Sequence, residues 1–292
     1  MSLTLHLTEP KCLFPNAAHL ELFQAQPEDG DTSIVPLNVQ VSFGEQDFWD
    51  NDLKRIGCRL RFRRATLAVK PVGTNIFRLM RYERTLPEEK VAQVIERLTE
   101  STDSSKKSLF GGLSAKLSPL YAIFGIDAGL RAEVEKSIIE DLKKRLESKA
   151  SIKIVRWVGS GCWEIGHEEL GDPTELDGFL KGSYFTAPPD DRPEEPNSAL
   201  CYLENSDDAG FAVDIELRCK LSDCVYIPLG AKLNEPNSKR QYRLEAEQEA
   251  MRLMLLKHNQ NLGIQAPPGE LVLAQGTLNA RPIVEARRER NA

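Results

Sequence analysis

The sequence predicts an α+β fold built from largely antiparallel, sandwich-like β-sheets, with a helical insertion in the middle and a long helix near the C-terminus. Two observations carry this. Segments with strand alternation come in runs rather than one by one between helices, which disfavours a parallel βαβ sheet. Between two such runs lies an apolar island, Ser108 to Leu130, in which only Lys116 and Asp127 carry charge. Leu109, Leu113, Leu117, Leu120, Tyr121 and Phe124 recur there at three- and four-residue steps, the spacing of one helix face.

Taken in order, LTLHL (residues 3–7) and IVPLNVQVSF (34–43) alternate as strands, separated by Pro10, Pro15 and the PEDGD turn. Cys58, Leu60 and Phe62 alternate with Arg59, Arg61 and Arg63. Leu67 and Val69 then continue the apolar face one step out of phase, so a β-bulge is expected at Arg63–Arg64. A further strand spans Ile76 to Tyr82.

Helical spacing starts at Pro87, where Val91, Val94, Ile95 and Leu98 form a stripe and Glu88 and Glu89 suit a first turn. Ser101 to Lys107 reads as a loop. Asp127 is the expected N-cap of a helix reaching Lys149. Strands resume with IKIVRWV (152–158), CWEI, LCYLE and GFAVDIELRCKL (210–221), and the Pro-rich acidic stretch 187–198 interrupts them as a loop. A helix is expected over 239–262, closed by Gly263. A short LVLAQG strand and a frayed basic tail follow. Three regions result: a β-rich 1–86, a helical insertion 87–149 and a β-rich 150–292. Each half runs from strands into helix, which hints at a duplicated unit.

The 292 residues carry a net charge of −6, which argues against a general nucleic-acid coat protein. Six scattered cysteines do not form the dense pattern of a secreted disulfide scaffold, and MSLTLHLTEPKC shows no signal peptide. No uncharged stretch reaches the length of a spanning helix. A cytoplasmic protein with reduced thiols is expected.

Against that acidic background, Lys54 to Arg84 holds ten basic residues and one acid, Glu83. Arg59, Arg61 and Arg63 share one strand face, with Arg78 and Arg81 further on, and such a row suits an anionic ligand, whether nucleic acid, lipid headgroups or an acidic partner. The competing reading folds the upstream Glu45, Asp47, Asp50 and Asp52 back to neutralise it. In the island, Phe110, Leu113, Tyr121 and Phe124 are the expected apolar contacts, either in a core, against a partner or on a membrane surface.

Two further constellations are weaker. Cys162, His167, Cys219 and Cys224 are suitable donors for zinc, but Cys219 and Cys224 are five apart on what reads as a strand, where they would face opposite ways. Asp214, Glu216 and Lys220 share the even face of a strand, as a Mg²⁺-dependent phosphodiesterase or nuclease would need. The outward polar face of an antiparallel strand accounts for the same residues. The favoured expectation is a non-enzymatic binding or assembly protein without a cofactor, recognising a protein partner, a second copy of itself or an anionic ligand. A membrane-associating or pore-forming protein and a metal-dependent nuclease are the alternatives.

Overall fold

The computed structural model describes residues 3–24, 34–49, 57–103, 152–168, 171–173, 175, 178–185, 199–204, 210–229, 237–261 and 263–282. The island 108–130 with Phe110, Leu113, Tyr121 and Phe124, the helix expected over 127–149 and the loop 187–198 lie outside these residues.

In chain order the strands of the first half are β1 (Leu3–Leu7), β2 (Lys11–Cys12), β3 (Ala18–Gln24), β4 (Ile34–Phe43), β5 (Gln46–Trp49), β6 (Gly57–Phe62), β7 (Ala65–Val72), β8 (Asn75–Arg81) and β9 (Arg84–Thr85). Helix α1 (Glu88–Asp103) follows. The second half contains β10 (Lys153–Gly159), β11 (Cys162–Ile165), β12 (Gly182–Phe185), β13 (Cys201–Glu204), β14 (Phe211–Lys220) and β15 (Cys224–Leu229). Helix α2 (Asn237–Asn261) and the long β16 (Glu270–Pro282) complete it.

Every strand pairing among the described residues is antiparallel. The largest sheet runs β1-β16-β14-β7-β11-β10-β9, with β2 also on β16. A second sheet runs β12-β4-β13-β8 with β3 on β4, and a third runs β15-β6-β5. All three sheets draw strands from before and after the insertion. β4 and β14 alternate cleanly, and their inward residues (Val35 to Phe43, Phe211 to Cys219, every second one) belong to one hydrophobic core.

Helix α1 begins where the carbonyl of Pro87 accepts the amides of Lys90 and Val91, and it buries Val94. It runs on through Asp103, past the start of the expected loop. Helix α2 buries Met251 and Leu255 and rests on β15 and β16. Gly263, at φ +71°, ends it by donating to the carbonyl of Gln260.

The sheets correct the strand reading in two places. The phase slip at Arg63–Arg64 is not a bulge. β6 ends at Phe62 in the three-stranded sheet and β7 begins at Ala65 in the largest one, so the slip marks a corner between sheets. The partner chain turns the same corner, because β14 passes into β15 through a 3₁₀ turn at Leu221–Asp223. The ladder β7·β14 thus continues as β6·β15. Secondly, LVLAQG is not a short strand before a frayed end. It opens the 13-residue β16, which lies between β1 and β14 inside the largest sheet. Leu217 faces Ala274 and Arg218 faces Val272, leaving Leu273 as a bulge residue. That extra residue explains why Leu271, Val272, Leu273 and Ala274 are all buried in sequence.

Candidate functional site

The arginines expected to form one basic face meet different fates. Arg59 and Asp47 stand directly opposite each other on β6 and β5, and Arg59 donates to both carboxylate oxygens at 2.8 and 3.1 Å. This hydrogen bond, with the arginine's charge, holds the Asp47 carboxyl below its ordinary range. Glu45 joins them, 3.1 Å from Arg59 and 3.0 Å from Arg61. Arg61 also lies 4.1 Å over the ring of Phe179. Arg63 falls at the corner, where alternation ends, and is buried. Burial pulls its guanidinium below the usual arginine range, while the charge of Asp223 opposes that pull. Arg78 lies on β8, with its side chain outside the described residues.

Arg81 differs from these in having an aromatic partner in place of a carboxylate. Its guanidinium stacks 4.3 Å from the ring of Trp157, and its buried Nε has no hydrogen-bond acceptor. Among the described residues no carboxylate pairs with it. Trp157 is itself held in place: it meets Trp163 edge-on at 4.6 Å, and its amide donates to Glu83 at 3.3 Å. Trp163 is fully buried and donates its indole N–H to the carbonyl of Tyr82 at 3.0 Å. β9 pairs with β10 only as far as Val155, so the outer edge of β10 beside Trp157 carries no strand among the described residues. Exposed Val158 continues that rim.

The double corner forms a second polar cluster. Arg64 donates from Nε and Nη2 to one oxygen of buried Asp223, at 3.1 and 2.9 Å. The amide of Arg63 donates to the Asp223 carbonyl at 2.9 Å. A shallow cleft opens beside them, lined by Arg64, Ala65, Thr66, Glu164, Lys220 and Asp223.

Of the four possible zinc donors, the structure brings two together. Cys219 is the last but one residue of β14 and Cys224 opens β15, and the 3₁₀ turn between them sets their sulfurs 3.5 Å apart. The expectation of opposite faces fails because the five-residue separation spans that turn. Cys162 instead points to the carbonyl of Ser160, and His167 forms a bridge with Gly171. Among the described residues no group of three or more His, Cys, Asp or Glu stands together as a metal-binding set.

Asp214, Glu216 and Lys220 do share the outward face of β14. Asp214 accepts from the Thr277 hydroxyl at 3.0 Å, and Glu216 accepts from Lys70 at 2.8 Å. These are cross-strand bonds on a solvent-facing ladder. Among the described residues, no helix is long and apolar enough to cross a membrane.

Sequence reasoning missed Trp157, Arg64 and Asp223. Trp157 left a signal, since an aromatic beside arginine on an otherwise aliphatic strand marks a possible exposed anchor. Asp223 left none, because its meaning depends on a partner far away in the chain. Comparison with protein-family models, with curated proteins and with solved structures finds no match to this chain.

Proposed function

We propose that the protein is a non-enzymatic binding component that recognises an acidic, extended segment of a protein partner through the Arg81–Trp157 face. The supporting observation is the stack itself. Arg81 lacks a carboxylate partner among the described residues and stacks on an aromatic ring already locked by Trp163. Arginine and tryptophan are the residues most often responsible for interface affinity, and a rigid pair loses little conformational entropy on binding. Beyond the Trp157 amide, which Glu83 holds, the outer edge of β10 offers main-chain groups to an added strand, while Arg81 supplies the charge preference. Arg59 and Arg61 are already compensated by Glu45 and Asp47 and contribute less.

The test is an array of acidic and neutral extended peptides, probed with the wild type, Arg81→Ala and Trp157→Ala. Acidic peptides should be retained by the wild type and bind at least about tenfold more weakly to Arg81→Ala, equivalent to about 1.4 kcal/mol. Single-stranded DNA and anionic vesicles run alongside. Arg81-dependent binding to either of these but not to peptides would reject the protein-partner assignment, and absence of any Arg81-dependent binding would reject the site.

A further inference from the structure

We propose that Cys219 and Cys224 are a redox modification site, joined by hydrogen peroxide into an intramolecular disulfide across the turn that carries Asp223. The turn has already brought the two sulfurs to 3.5 Å. Closing to the S–S bond length of about 2.05 Å needs a movement of about 1.5 Å. Among the thiols whose side chains are described, no other two touch: Cys12 contacts His19, Cys162 contacts Ser160, and Cys201 lies in β13.

Accessibility orders the events. Cys224 donates its S–H to the Cys219 sulfur, and Cys219 donates to the carbonyl of Arg64 at 3.1 Å. Cys224 is the more accessible, at 7% exposure against 1% for Cys219. Its chain neighbour Asp223 lines the shallow cleft shared with Lys220 and Arg64, the side from which peroxide would approach. The Cys224 thiolate attacks one peroxide oxygen, the O–O bond breaks, and the released hydroxide takes the thiol proton to leave as water. Cys224 is then a sulfenic acid. Cys219 attacks that sulfur, an S–S bond forms, the S–O bond breaks, and the leaving hydroxide carries off the Cys219 proton as a second water. Two electrons pass from the thiols to peroxide.

Burial, with Cys224 and the carboxylate of Asp223 close by, holds the Cys219 thiol well above its ordinary pKa. It therefore stays protonated and unreactive until a sulfenic acid forms beside it, which suits a resolving rather than an attacking role. Bond formation removes the Cys219 hydrogen bond to the Arg64 carbonyl, on the residue that grips Asp223, so the oxidation state of the pair is transmitted to the corner between two sheets.

The test is peptide mapping of the folded wild type after peroxide treatment, with remaining thiols alkylated in denaturant. Cleavage after Lys220 separates the two cysteines, so a disulfide appears as two peptides held together, about 2 Da lighter than their sum and separated by dithiothreitol. In Cys224→Ser, Cys219 should remain open to alkylation. The proposal is overturned if both cysteines stay alkylatable at a dose that oxidises the partly exposed Cys162, or if the bond forms only after unfolding. The wild-type map decides by itself should the variant not fold.

Discussion

Arg64 and Asp223, 159 positions apart, form a part-buried ion pair where two neighbouring strands leave one sheet for another. Asp223 is 2% exposed, and buried Arg63 lies beside the same carboxylate. Replacing Asp223 with Asn keeps the shape and removes the only negative charge within this corner pair. Arg64 then keeps only the more distant charges of Glu164 and Glu168, and removing one partner of a largely buried pair costs about 3 kcal/mol. Urea unfolding of Asp223→Asn should show that loss. A change below about 1 kcal/mol would mean that solvent reaches the corner and screens it.

Alkaline pH should destabilise the fold through its buried thiols. Burial pushes the Cys201 thiol up to about 12, against the opposing charge of Arg81, and pushes Cys219 well above its ordinary range. In the unfolded chain these thiols ionise near pH 8.5. Above that pH the unfolded state binds fewer protons than the native state, so stability falls as pH rises. The contribution is fully present below about pH 8.5 and is lost up to the native pKa, at roughly 1.4 kcal/mol per pH unit for each fully differential proton. Unfolding free energies measured from pH 8 to 11 in reductant should decline, and Cys201→Ala should flatten the slope whatever its effect at pH 8.

Strands with one wet and one dry face were legible from their alternation alone. β4 and β14 are the cases, with alternate residues inward along ten residues each. The end of α2 at Gly263 was legible because a left-handed residue closes the helix. β3 was not: AHLELFQ is rich in good helix formers, and it becomes a strand by pairing along β4. The far half of β16 was hidden by Gly276, yet a Cβ there would stand only 3.0 Å from Leu22 and 3.3 Å from Pro10. That glycine marks a close approach rather than a chain end. For the site, Arg81 was identifiable as a cation in a basic stretch, but its stack on Trp157 was not, since nothing local brings β8 and β10 together.

Two glycines with similar backbone angles should respond very differently to alanine. Gly159 (φ +95°), at the β10–β11 hairpin, has no atom within 4 Å of a would-be Cβ. Only the left-handed backbone opposes the change, at about 1 kcal/mol. Gly171 (φ +69°) would drive its Cβ into the carbonyl oxygen of Gly178, in the loop whose Asp172 accepts a hydrogen bond from the Tyr184 hydroxyl. Backbone must move there, and Gly171→Ala should cost more than about 3 kcal/mol. Thermal unfolding of the two variants side by side checks the contrast, and equal shifts would show that the loop yields freely.

The binding proposal makes Arg59 and Arg81 unequal, although both are arginines of the same basic stretch. Arg59 is satisfied within the sheet by Asp47 and Glu45, so an incoming acidic group must compete with two carboxylates already in place. Arg81 faces no such competitor among the described residues, and Trp157 orients its guanidinium beforehand. Arg59→Ala should therefore leave acidic-peptide affinity within about twofold of wild type, whereas Arg81→Ala lowers it at least tenfold. Arg81→Lys separates charge from shape, because lysine retains the charge but not the planar group that stacks on the indole. Affinity restored fully by lysine would make the site a simple point charge; affinity still reduced would locate the recognition in the stack.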